Sequence, residues 1–161
     1  MDEMSKLREQ LAYHLSGHGA HIGFEAAVEG LPFDLTGKQV PNLAHTAWQL
    51  VYHLQIAQRD ILEFSRNPAH VSPEYPSGYW PKDPAPVSEE QWRETTLAFQ
   101  KDLKAMVDLI KDPDNDLFAP FAHGSGQNLL REAILIIDHN SYHIGQLVDV
   151  RMLLRAPVRD W

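Results

Sequence analysis

Residues 67–87 read NPAHVSPEYPSGYWPKDPAPV, and this stretch decides the fold. Six prolines, Pro68, Pro73, Pro76, Pro81, Pro84 and Pro86, fall within it. Each lacks a backbone N–H and fixes φ, so neither a continuous helix nor a central strand can run through. The segments on either side have helical periodicity. Before it, Ala47, Leu50, Val51, Leu54, Ala57, Ile61 and Phe64 recur on one helical face. That helix is read from the stop and cap at Pro41-Asn42 to about Ser65, with Asn67-Pro68 ending it. After it, Ser88 and Gln91 match a capping box, and Trp92, Phe99, Leu103, Met106 and Ile110 line a helix that Asp112-Pro113 closes.

A link of some twenty residues can travel the length of a bundle, whereas a short loop only reverses direction. The long link therefore predicts that the two helices it joins run parallel. Further out, a fourth helix is expected from near Asn128 to about Leu154, after the loop His123-Gly124-Ser125-Gly126. A first helix is read from about Ser5 to Gly30 through Leu7, Leu11, His14, Leu15, His18, Ile22 and Ala26. Gly17, Gly19 and Gly23 weaken it by roughly 1 kcal/mol each and point to a kink. No segment shows the alternation of a strand. The expected architecture is all-α: a four-helix bundle, up-down-down-up, with a long crossover between helices 2 and 3, in a single domain over residues 1–161.

Composition narrows the function classes. Apolar residues make up 43% and charged residues 22%, the balance of a folded globular domain rather than a disordered chain. Twenty-two acidic side chains against 14 basic ones give a net charge of −8, with no Lys/Arg cluster to meet phosphates, so nucleic acid is not an expected partner. There is no cysteine, so a metal here must be held by nitrogen or oxygen. The N-terminus MDEMSKLREQ has no apolar signal stretch, and no apolar run approaches the ~20 residues that span a bilayer. A cytoplasmic location without membrane association is expected.

Nine histidines stand out. Two pairs, His14/His18 and His139/His143, have H-x3-H spacing, which on a helix stacks both imidazoles on one side where they can share an ion. At this histidine density about half of one such pair arises by chance, so spacing alone does not choose between them. His139 and His143 share a face with Ile136, Gln146, Leu147 and Val150 in the most apolar helix, where two unpartnered imidazoles are costly. His53 lies on a stripe with Leu50, Ala57 and Ile61. Two readings of His53 stand on the residues: a core histidine bonded to a carbonyl or amide, or a third ligand from a neighbouring helix. The second gives three nitrogens and an open position, the protein donor set of a catalytic rather than a structural zinc site. His14, His18 and His21 are read as a half-exposed polar face, and His45, His70 and His123 as surface or loop residues. Asp60, two turns after His53, is a candidate to orient a ligand histidine. Gln146 and Tyr142 either face the site or pack helices. Tyr79 and Trp80 either line a pocket mouth or anchor the crossover.

The run His45-Thr46-Ala47-Trp48-Gln49-Leu50-Val51-Tyr52-His53-Leu54-Gln55-Ile56-Ala57-Gln58-Arg59-Asp60, together with Asp138-His139-Asn140-Ser141-Tyr142-His143-Ile144-Gly145-Gln146-Leu147, resembles the DinB superfamily of DinB/YfiT-like metalloenzymes. The resemblance covers nearly the whole chain. It implies one histidine in the middle of helix 2 and an H-x3-H pair in helix 4 binding nickel, zinc or a similar ion, which here fall on His53, His139 and His143. It also implies the up-down-down-up bundle and a homodimer.

Three neutral imidazoles leave a divalent ion's charge available to polarise water or an anionic ligand. A small-molecule substrate and a metal-dependent hydrolase are expected on that chemistry. The resemblance also includes S-transferases that use a low-molecular-weight thiol of the bacillithiol or mycothiol type. A non-enzymatic metal or small-ligand-binding stress protein is the third reading. There is no H-E-x-x-H, which disfavours a zincin peptidase. No catalytic acid or base can be named from the residues.

Overall fold

The computed structural model describes residues 2–158, which form six helices and no strand. The helices are α1 (Glu3–Leu15), α2 (Phe24–Val28), α3 (Phe33–Thr36), α4 (Ala47–Arg66), α5 (Glu89–Lys111) and α6 (Leu129–Leu153). The all-α expectation holds. None of the described helices is long and apolar enough to cross a membrane.

Local signals set most of the helix ends. The Asn128 side chain accepts from the Arg131 N–H and opens α6, and Ser88 accepts from the Gln91 N–H and opens α5, both as expected. The Gln91 side chain, however, accepts from the Val87 N–H rather than from Ser88, so only half of the capping box forms. Two expected boundaries are wrong. Helix α4 does not start at Pro41-Asn42: Asn42 sits at φ 68°, a left-handed turn conformation, and the helix begins at Ala47 under a full Thr46/Gln49 capping box. The first helix does not reach Gly30. It stops at Leu15, where Gly17 adopts φ 77° and the His18 and Gly17 N–H groups return to the Tyr13 and His14 carbonyls. This is a Schellman ending, which a glycine supplies without strain. The segment beyond folds into the short helices α2 and α3.

Packing is around α4 and α6. Helix α4 packs against α5 and α6, and α1 packs against the same two. One apolar cluster gathers Leu50, Val51, Leu54, Phe99, Ile144 and Leu147 with Phe24 and Ala27 of α2. A second gathers Leu11, Leu15, Leu62, Met106, Ile110 and Ile136. Between the two clusters lies a polar layer. Gln58 is fully buried and receives the Asn140 amide at 2.9 Å, which joins α4 to α6 at the level of His139 and His143.

The proline-rich crossover is held by specific ties rather than by secondary structure. The Thr46 hydroxyl, having capped α4, donates to the Pro84 carbonyl at 2.6 Å. A Cβ added at Gly37 would meet the Ala85 Cβ at 2.2 Å, so the two backbones touch at a place only glycine permits. Asp60 on α4 accepts from the Tyr79 hydroxyl at 2.6 Å and bonds His70 Nε2 at 2.7 Å. These contacts bring Tyr79 and Trp80 onto α4 beside His53.

Candidate metal centre

His53, His139 and His143 come together as the one group of three or more potential metal-ligating side chains among the described residues. Their nearest ring nitrogens all lie within 4.8 Å of one another. The i, i+4 spacing on α6 stacks His139 over His143, with ring centroids 4.6 Å apart, and α4 supplies His53 between them at 4.9 and 4.6 Å. His53 is 7% exposed and His143 9%, while His139 is half-buried.

The outer nitrogens are anchored. His53 Nδ1 donates to the Tyr79 carbonyl at 3.1 Å, and His143 Nδ1 donates to Gln146 Oε1 at 2.7 Å. A backbone carbonyl only accepts, so the His53 ring must carry its hydrogen on Nδ1 when neutral, leaving its Nε2 lone pair free, while the Gln146 amide holds Nδ1 of His143. His53 Nε2 in turn lies 3.0 Å from His139 Nε2. Two facing imidazole nitrogens at that distance need a proton or a metal cation between them. Trp80 fixes the plane of the His53 ring: the two stack at 3.8 Å and 6°, and His45 covers the other face of the indole at 3.9 Å and 14°.

Burial dominates the electrostatics. It pushes His53 down to about 4, with the Tyr79 carbonyl opposing and the neighbouring imidazoles assisting. It pushes His139 down to about 4, assisted by His143, and lowers His143 as well. All three are therefore neutral near pH 7, the state in which imidazole ligates. The donor set fits one divalent ion. Nitrogens about 2.1 Å from a common centre lie about 3.4 Å apart in a tetrahedral set, close to the 3.0 Å already present between His53 and His139. The His143 nitrogen lies within 4.8 Å of the other two, so it completes the set with a side-chain adjustment on the order of 1 Å.

The same shifts set a pH dependence for the metal-free protein. His53 and His139 hold about 4 when folded against 6.5 when unfolded, so between those values the unfolded chain binds more protons. Stability is then fully present above pH 6.5, falls as pH drops towards 4, and levels off below. With allowance for solvent on the open side, the loss is on the order of 2 kcal/mol. Denaturant titrations at pH 7 and 4.5 measure it, and the His53→Asn/His139→Asn double variant should lose most of that difference. Equal pH dependence in the two proteins counts against neutral, buried imidazoles.

Other candidates fall elsewhere. His14 and His18 are exposed, and their H-x3-H spacing does not operate because α1 ends between them. His21 is exposed and bonds the Ser141 hydroxyl, and His123 bonds the Phe64 carbonyl in a loop. His45 is not a simple surface residue: it forms the outer layer of the stack over Trp80 and His53. Asp60 does not bond His53. It reaches that ring only through Tyr79, whose hydroxyl it holds while the Tyr79 carbonyl holds the imidazole. Tyr142 is 65% exposed, its ring edge-on to His143. The sequence reading missed Gln58 and Asn140, the buried amide pair behind the site; two amides on helical faces carry no spacing signal. A cavity of about 80 Å³ lined by His45, Leu50, Gln146 and Val150 adjoins the anchored side of His143. A larger cleft of about 260 Å³ has walls from Phe24, Phe99, Leu103 and Ile144, and none of the three histidines lines it.

The described residues form an all-helical fold with a three-histidine group that can hold a metal ion. No family model, no curated protein and no solved structure matches this chain.

Proposed function

We propose that this chain is a DinB-like metalloprotein that hydrolyses a small-molecule substrate at one divalent ion, zinc or nickel, held by His53, His139 and His143. The reading includes an up-down-down-up order for α1, α4, α5 and α6, with residues 67–87 as the crossover. One observation carries it: Nε2 of His53 and of His139 face each other at 3.0 Å while the far nitrogens of His53 and His143 are bonded to carbonyl oxygens. That is the arrangement of metal-ligating imidazoles oriented by outer partners. When bound, a divalent ion at three neutral imidazoles supplies Lewis acidity and acidifies water. The protein's own contribution is positioning. Tyr79 sets the tautomer of His53, Gln146 anchors the His143 ring, and the Trp80 indole keeps water from one face of His53.

Turnover of a panel of esters, amides and alkyl electrophiles by the zinc- or nickel-loaded protein, with and without a low-molecular-weight thiol, tests this reading. Metal-dependent cleavage in water alone is expected. Turnover only with thiol would replace the hydrolase by an S-transferase at the same ion, and no turnover in either arm would leave a metal-binding protein without this activity.

A further inference from the structure

The cleft of about 260 Å³ is walled by α1, α2, α5, α6 and the loop between the first two, and none of the three histidines takes part. Leu15 meets it at the end of α1, Val107 on α5, and Ile137 and Ile144 on α6. Phe24 of α2 and Phe99 of α5 stack at 3.8 Å and add an aromatic wall. With 3.6 residues per turn, Ile137, Ser141 and Ile144 share a face of α6 that His139 and His143 do not.

The walls are held in place by contacts that do not depend on a ligand. Asn140, which also lines the cleft, donates through Nδ2 to Gln58 Oε1 at 2.9 Å, and Gln58 Nε2 donates to the Phe99 carbonyl at 2.7 Å. This chain fixes α5 and α6 through α4. At the rim, a Cβ on Gly17 would lie 2.9 Å from Gly23 Cα, so the loop between α1 and α2 is pinched shut where only glycine fits. A cavity of about 150 Å³ walled by Leu, Ile and Phe admits benzene, so this larger cleft has room for one ring with a short substituent.

The mouth defines the substituent. His21 Nδ1 bonds the Ile22 carbonyl at 2.8 Å, His21 Nε2 meets Ser141 Oγ at 2.9 Å, and Ser141 Oγ meets the Ile137 carbonyl at 2.6 Å. Both carbonyls only accept, and a neutral imidazole and a hydroxyl bring two hydrogens to three contacts. Ile22 takes the ring hydrogen. The hydroxyl hydrogen serves His21 or Ile137, but not both, so the pair presents an acceptor that lacks a hydrogen. The charges at the rim do not invite an anion: Lys104 is held by Asp108 at 2.6 Å, and Glu25 adds a carboxylate.

We propose that this cleft is a second ligand site, separate from the three histidines, for a neutral single-ring aromatic compound with a donating hydroxyl. The ring lies against Phe24, Phe99 and Ile144. With the Ser141 hydrogen turned to His21 Nε2, the ligand O–H donates to Ser141 Oγ. Every polar atom of the pair is then bonded, and Ile137 keeps the N–H it accepts within α6.

Titration of the metal-free protein with p-cresol, followed by NMR, tests the site. 4-Methylanisole, in which a methyl group replaces the hydroxyl hydrogen, tests the ligand class. The wild-type protein should bind p-cresol with a Kd of about 1 mM or tighter, with shifts at Phe99, Leu103 and Ile144. 4-Methylanisole should bind about 5- to 10-fold more weakly. Ser141→Ala should bind the two compounds alike, and so should His21→Ala, whose substitution lies in an exposed loop. Val107→Trp, which fills the cleft from a half-buried position, should lose at least tenfold in affinity for both. No binding, wild-type binding by Val107→Trp, or shifts confined to His53, His139 and His143 would overturn the site. Equal wild-type affinity for the two compounds, or a p-cresol preference that survives in Ser141→Ala and His21→Ala, would overturn the hydroxyl assignment. With no metal present, none of these results bears on the three-histidine reading.

Discussion

Replacing His143 by alanine is expected to weaken divalent-metal binding by roughly a hundredfold to a thousandfold. The two nitrogens that remain, on His53 and His139, come from different helices and lie 3.0 Å apart, close enough to share a proton once the third ligand is gone. The variant therefore loses a ligand while the competing proton-sharing state remains. Metal that binds only the folded chain stabilises it by mass action, about 4 kcal/mol at a thousandfold excess over the dissociation constant. For a chain of this size, that corresponds to a rise in Tm of about 8 to 16 °C. The wild-type protein should show this rise with zinc or nickel, and His143→Ala should show almost none. His123→Ala, in an exposed loop far along the chain from the cluster, should behave as wild type. Equal metal content and an equal rise in Tm in the His143→Ala protein would remove the three-histidine site from consideration.

The second large effect lies two turns further along α6. Arg151 is 2% exposed and makes four hydrogen bonds, all to backbone carbonyls. Nη1 reaches Ala27 at 2.7 Å and Glu29 at 2.9 Å at the end of α2, Nε reaches Ala156 at 2.9 Å, and Nη2 reaches Pro157 at 3.3 Å. Burial lowers the affinity of this guanidinium for its proton, with Glu29 opposing. The carbonyls offset that penalty and are themselves satisfied by it. Arg151→Met fills the volume but leaves buried acceptors unpaired, so a loss of about 3 kcal/mol or more is expected, or roughly 6 to 12 °C in Tm. Arg151→Lys keeps the charge without the planar fork and should fall between. Thermal melts of the metal-free proteins decide it, and a methionine variant within about 1 kcal/mol of wild type would show that the four bonds contribute little. Zinc affinity should be unchanged in Arg151→Lys, because the contacts of Arg151 are to α2 and the C-terminal tail rather than to the three ligands.

The helix ends show how much of this could be read beforehand. Ser88, Asn128 and Asp112-Pro113 mark their boundaries because capping is local: the side chain and the N–H group it satisfies lie within three residues. The Thr46/Gln49 box is equally local, and it starts α4 in place of Pro41-Asn42, a turn five residues earlier. By propensity alone, Gly17 is one weak helical position among three. It is instead the stop, because the chain there takes a positive φ that closes the last turn of α1. That single torsion also separates His14 from His18 and removes the competing H-x3-H pair.

By itself, the sequence determined the all-helical class, the long helix-free link between α4 and α5, and three histidines on two helices. These follow from period, proline chemistry and the stacking of residues four apart, all properties of a few neighbouring side chains. Only the tertiary structure decided which atoms orient them. The Tyr79 carbonyl, 26 residues along the chain, and the Trp80 face act on the His53 ring, while the Gln58–Asn140 pair joins α4 to α6 across 82 residues. A backbone carbonyl has no residue identity to read, and a buried amide shows its direction only when the acceptor at the end of its chain is known. The sequence could therefore place the nitrogens together, but which nitrogen of His53 carries the hydrogen is decided by where the Tyr79 carbonyl folds back onto α4.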